Sequence, residues 1–222
     1  DHFVVFMPKD TVSGDFYWFY ETPLWQRVVV GDCTGHGIPG AFMTIMATSL
    51  LDQFIKNCEL EDIPEAFNQL NTYIKNKLMS DTKSVDGASV DGFEFGFLQL
   101  NKNNDTYHYL GSKMDLIRID KEGVERVKAH KFPIGVSIKF YDDKRFHEIH
   151  TFQTKQDEFV FLHSDGIPDQ FDNTNKMKYT SKKLRSFLHS NIHLPIEDQR
   201  NAVLKEIKKW KVKQPQTDDI IL

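Results

Sequence analysis

The order of apolar runs constrains this chain more than any other feature. Three strand-like runs, Phe3–Met7, Phe16–Glu21 and Arg27–Asp32, are followed by two helix-like runs back to back, Pro39–Ile55 and Pro64–Leu78. A strand-rich stretch comes next. Phe93–Leu100 and Thr106–Leu110 flank Asn103-Asn-Asp105, and Leu116–Ile119 and Val124–Val127 flank Lys121-Glu-Gly123, both hairpin signals. Further strands fit Arg145–Phe152 and Glu158–Leu162. Two helices follow, one carrying Leu184, Phe187, Leu188 and Ile192, the other Val203, Ile207 and Trp210, and a last strand begins near Thr217. A helix that leads into another helix cannot belong to the alternating βαβ of a parallel doubly wound sheet. The order predicts an α+β fold in which two antiparallel sheets are covered by helix pairs, because each sheet and helix must bury one apolar face. In the first helix Ala41, Phe42, Ile45, Met46, Leu50, Leu51 and Phe54 cover most of the circumference, which predicts a deeply buried helix.

The chain has 222 residues, of which 40% are hydrophobic and 27% charged, the profile of a globular protein with a full core. One domain over 1–222 fits the pattern, and a chain that begins and ends within strands reads as a domain cut from something longer. A net charge of −4 disfavours a nucleic-acid coat, which needs a basic surface. Cys33 and Cys58 are too few for a disulfide framework and suit a reducing, cytoplasmic compartment. No apolar run is long enough to span a bilayer, so no membrane contact by this domain is expected. Charge is uneven: residues 176–213 hold eleven Lys/Arg against three acids, a local +8, which leaves −12 for the rest. Two solvated helix faces explain this; a docking surface for an acidic partner is the sharper alternative.

The densest segment runs from Val28 to Gly40, a strand, a glycine-rich turn and a helix start. Gly35-His-Gly37-Ile-Pro-Gly40 satisfies the dinucleotide fingerprint, yet the βαβ unit is missing and Asp32 would repel a pyrophosphate. Asp32 makes better sense as a metal ligand at the end of a buried strand, where an unpaired carboxylate is costly. Asp15, Asp165 and the Asp218-Asp219 pair also sit at strand ends beside small residues. One such residue is ordinarily a turn or cap. Several together suggest carboxylates that converge on hard divalent cations.

Pro8-Lys-Asp-Thr-Val-Ser-Gly-Asp-Phe-Tyr-Trp18, Gly31-Asp-Cys-Thr-Gly-His-Gly-Ile-Pro-Gly-Ala-Phe-Met43, Phe132-Pro-Ile-Gly135, Ser164-Asp-Gly-Ile-Pro-Asp-Gln170 and Asp218-Asp-Ile220 resemble the ordered motifs of the bacterial sporulation-type (stage II sporulation protein E-like) serine phosphatases, a branch of the metal-dependent protein phosphatase 2C superfamily. The resemblance covers nearly the whole chain. It implies a four-layer α/β/β/α sandwich, two Mn²⁺ or Mg²⁺ ions, and hydrolysis of phosphoserine or phosphothreonine on a signalling protein of the anti-sigma-factor antagonist type. It also implies an upstream sensor or receiver domain in the same chain, and it leaves a homodimer and a membrane-anchored full-length protein open. By position, Asp32 would bridge the metals with the Cys33 carbonyl on one of them. Asp165 and Asp218 would hold the other, and Asp15 would bind directly or through water.

Some positions depart from the family. The position two residues after the bridging Asp, a His in the wider superfamily, is Thr34 here; His36 reads as a turn stabiliser rather than an acid. Residues 87–95 hold two Asp-Gly pairs where the branch is more regular. The phosphate-gripping Arg of eukaryotic relatives has no match, and Lys9 is the nearest cation. Asp169 reads as a cap or loop residue rather than a third-metal ligand. His189 and His193 read as surface residues, and Cys33 as a weak redox candidate. The competing class is a catalytically silent pseudophosphatase that binds without turnover; retention of all four aspartates argues against it.

Overall fold

The computed structural model describes residues 1–81, 92–136 and 146–222. Its strands are β1 (Phe6–Met7), β2 (Asp15–Glu21), β3 (Trp25–Cys33), β4 (Phe93–Asn101), β5 (Thr106–Ser112), β6 (Leu116–Asp120), β7 (Gly123–Val127), β8 (His150–Gln153), β9 (Phe159–Phe161) and β10 (Ile220–Ile221). Its helices are α1 (Gly37–Phe54), α2 (Ile63–Asp81), the single turn α3 (Gly166–Asp169), α4 (Ser181–Asn191) and α5 (Ile196–Lys211). Every strand pair is antiparallel: one sheet runs β2-β3-β4-β5-β8, a second β7-β6-β9, and β10 pairs with β1. Both predicted hairpins form. In the second, Asp120 Oδ1 accepts from the amides of Glu122 and Gly123 and closes the turn. The last strand starts at Ile220 rather than near Thr217, so Asp218 and Asp219 precede it. Arg145 and residues 87–91 lie outside the described residues.

Alternation along the strands sorts the side chains into layers, since successive residues point to opposite faces. Phe93, Phe95 and Phe97 of β4 and Val29 of β3 pack under α1 and α2, with Phe67 of α2 stacked on Phe95. Leu98 and Val30, from the opposite faces, meet Leu116, Leu162 and Ile221 between the sheets. Ile117 and Ile119 pack with Ile220 against Leu184 and Leu188 of α4 and Val203 and Ile207 of α5. The result is the expected α/β/β/α order.

One expectation fails. α1 is not deeply buried: Ile38, Phe42 and Ile45 are 68%, 69% and 63% exposed, and its buried residues are Gly40, Ala47, Leu50 and Leu51. Its first turns press small residues, not large ones, onto the sheet. A Cβ at Gly40 would stand 2.4 Å from the Gly35 carbonyl oxygen and 2.9 Å from Gly14 Cα, and Thr44 donates to the Gly14 carbonyl at 3.0 Å. That close approach turns the bulky apolar residues outward.

Candidate active site

Register brings the acids together. Asp15 on β2 pairs across to Asp32 on β3, and Asp32 pairs across to Glu94 on β4, so three carboxylates stand in a row on one face. Like charges placed directly opposite destabilise a sheet, and two of this row open onto a cavity of about 210 Å³, with Asp15 behind them. Asp32 and Glu94 line it from the sheet, and Asp165 and Asp218 from the loops after β9 and before β10.

Asp15 is buried, and its Oδ2 accepts from Ser164 Oγ at 2.6 Å. Burial, together with Asp219, Asp165 and Asp218, pushes its carboxyl up to about 7. Burial, then Asp15 and Asp165, pushes Asp32 up to about 9, and burial, then Asp218, pushes Asp165 up to about 6. Burial also raises Glu94, opposed by Lys113, whose Nζ lies 3.5 Å from Glu94 Oε1. Among the described residues no three His, Cys, Asp or Glu side chains stand ready-made as a metal cluster. The donor set is nonetheless all oxygen and its charge is largely uncompensated, which fits hard divalent cations.

Asp218 and Asp219 have different surroundings. Asp219 is buried, and its two carboxylate oxygens accept from the amides of Lys9 at 2.7 Å and Gly14 at 2.8 Å. Asp218 is half-buried on the cavity wall, where its Oδ1 accepts only from the Asp219 amide, 2.9 Å away. Gly166 permits this junction, since a Cβ there would strike the Asp219 carbonyl oxygen at 1.9 Å. Cys33 follows Asp32 on the strand, so its thiol points the other way, into the core under α1. Burial pushes that thiol up to about 12, which removes thiolate chemistry.

Other sequence candidates fall outside the cavity or are otherwise engaged. Thr34 Oγ1 donates to the Gly92 carbonyl at 3.1 Å. His36 is exposed and pairs with Asp10 at 2.8 Å, holding the turn before α1. Lys9 contributes its amide to Asp219, and Asp169 pairs with Lys178 at 2.8 Å. Two residues escaped the sequence reading: Glu94, the one charge in the apolar run Phe93–Leu98, and Ser164, which holds Asp15. The charge inside a buried strand was a usable signal for the first; the second opens the Ser164–Gln170 motif, but nothing in the motif announces its hydrogen bond to Asp15.

Residues 26–222 match the family described as Stage II sporulation protein E (SpoIIE). The chain belongs to that family and is a PP2C-type phosphatase domain. Among solved structures it is similar to the SiaA-PP2C domain of Pseudomonas aeruginosa, with 23% identity and a TM-score of 0.81 over 99% of this chain and 82% of that one. It is also similar to the phosphatase domain and regulatory fragment of SpoIIE from Bacillus subtilis, with 17% identity, a TM-score of 0.75, and coverage of 98% of this chain and 60% of that one. RsbX in complex with magnesium aligns at 16% identity and a TM-score of 0.66, covering 98% of this chain and 90% of that one. No curated protein sequence matches. Among the described residues no helix is long and apolar enough to cross a membrane.

Proposed function

We propose that this domain hydrolyses a phosphoserine or phosphothreonine ester on a signalling protein of the anti-sigma-factor antagonist type, using two Mn²⁺ or Mg²⁺ ions, in the cytoplasm and under the control of an upstream domain. The observation that carries this reading is the meeting of Asp32, Asp165 and Asp218 around one cavity with Asp15 behind them, all short of cationic partners. RsbX, a structural neighbour, was obtained with magnesium, which supports the metal. Asp32 would bridge the ions with the Cys33 carbonyl beside it, Asp165 and Asp218 would hold one of them, and Asp15 would bind directly or through water. When bound, two such ions acidify a water and neutralise phosphoryl oxygens, so that no protein nucleophile is needed.

The chain's own contribution is positioning. Ser164 orients Asp15 by its hydrogen bond, and Asp219 clamps the loop before β2 to the approach to β10, which sets the distance between Asp15 and Asp218. Aryl phosphate turnover that appears with Mn²⁺ and vanishes with excess chelator tests the reading. No turnover with any divalent metal overturns it in favour of a silent binding module. Asp218→Asn is expected to lower turnover by about 10²–10⁴, whereas Asp219→Asn lowers it about tenfold or less, because its carboxylate serves the backbone. If Asp219→Asn is the inactive variant, the ligand assignment is wrong by one residue.

A further inference from the structure

Beside Glu94 and Asp165, which both cavities share, lies a second cavity of about 170 Å³ that is lined as well by Asp115 and by three cations, Lys113, Arg126 and Arg185. Two of these charges are engaged. Lys113 pairs with Glu94 at 3.5 Å, and Arg126 with Asp115. Arg185 differs. It is half-buried on α4, one turn beyond Ser181, which lines the same cavity, and among the described residues it has no hydrogen bond or ion pair. A guanidinium offers five N–H donors in a planar fork. Half-buried at a cavity and without a protein acceptor, these donors are available to a ligand, and a carboxylate is their best geometric match. Lys113 is held in place as well: its backbone sits in the left-handed region at φ 64°, and its amide donates to the His130 carbonyl at 2.7 Å.

We infer that this second cavity is a specificity subsite that takes an acidic side chain of the phosphoprotein substrate, with Arg185 as its grip and Lys113 beside it. The inference rests on the phosphatase reading. A phosphoryl group undergoing hydrolysis must sit among Asp32, Asp165 and Asp218. An anion beyond Glu94 and Asp165 is therefore a different group on the same peptide. Arg185 belongs to residues 176–213, whose net charge of +8 favours an acidic partner in the same sense.

The test uses phosphoserine peptides in which a single Glu is walked along the positions flanking the phosphoserine, each compared with Gln at the same place. At one or two positions Glu is expected to raise kcat/KM about tenfold, the size of a charge-assisted contact. Arg185→Gln should bring that ratio close to one, and Arg185→Glu should invert it in favour of Lys at the same position, a reversal that a merely structural role would not produce. Indifference of the unaltered domain at every position overturns the subsite. So does an equal loss on Glu and Gln peptides in Arg185→Gln, which would assign the arginine to the phosphoryl group or to the fold. If nothing is turned over with any divalent metal, the phosphatase reading has failed. The subsite is then decided by calorimetric binding of the same peptides carrying a phosphonate, where loss of the Glu preference in Arg185→Gln upholds it and no preference removes it.

Discussion

α1 and α4 each lie on a sheet, but they reach it by different routes. α4 is an ordinary amphipathic helix: Leu184 and Leu188 enter the core, and Lys182 and Ser186 face water. α1 carries more apolar residues, yet its first turns bury only Gly40 and Ala47, with Thr44 beside them, while Ile38, Phe42 and Ile45 stay in solvent and Leu50 and Leu51 enter the core only further along. The difference is what each helix must touch. α4 covers side chains, so hydrophobic size decides its orientation. α1 must reach the backbone of Gly14 and Gly35 at the edge of the carboxylate cavity, so smallness decides. A helix that supports a site can be oriented by the residues it lacks.

Four measurements test this contrast. The largest effect is expected from pH in the presence of a chelator. Unfolded carboxyls lose their protons near pH 4, whereas those of Asp165, Asp15 and Asp32 are held up to about 6, 7 and 9. The native state thus binds more protons than the unfolded one, and that stabilisation, full below about pH 4, is lost as pH rises from about 4 to about 9, by several kcal/mol carried by Asp15 and Asp32, since Asp165 is exposed and screened by solvent. Melting temperature should fall across that window, and hydrogen exchange should place the loss in β2, β3 and the first turns of α1, with α4 and α5 unaffected. A flat or rising profile would refute the picture, and divalent metal should restore stability most at the alkaline end.

Leu184→Ala, in the side-chain-packed layer, should cost about 2–5 kcal/mol in denaturant unfolding, through lost burial and the cavity left behind. Gly40→Ala is decided by its sign. In a free helix the change stabilises by about 1 kcal/mol; here the added Cβ meets backbone, so a cost of about 1–3 kcal/mol is expected. A gain would mean that the close approach is not needed. Phe42→Gln should change stability by no more than about 0.5 kcal/mol, since 69% of the side chain is already in water. A larger loss would show that this face is covered in solution.

Much of the fold was legible because the hairpins announce themselves: Asn103-Asn-Asp105 and Lys121-Glu-Gly123 carry turn chemistry between strands of matching alternation. The exposed face of α1 was not legible, since apolar periodicity reports which residues could be buried and not how near the partner backbone comes. In the site, Asp32, Asp165 and Asp218 stood out as acids at the ends of apolar runs. Glu94 required the β3–β4 register, and the clamp by Asp219 required knowing that the two ends of the chain meet. Nothing local to Arg185 separates it from the ten other cations of its stretch; only the packing of α4 beside Glu94 and Asp165 does.

The bonds from Asp219 to Lys9 and Gly14 span 210 and 205 residues. Beside them, Phe6 pairs with Ile221, and Val5 with Leu222. A ribosome delivers residues in order, so the strand bearing Asp15 is made some two hundred residues before its clamp exists. Until residues 218–222 emerge, the growing chain holds two of its carboxylates on one hairpin with nothing to close the cavity around them. Closure by such distant segments makes for a slow folding step. Under the proposed function, a chain that lacks these final residues would lack both Asp218 and the clamp that closes the cavity around the other carboxylates.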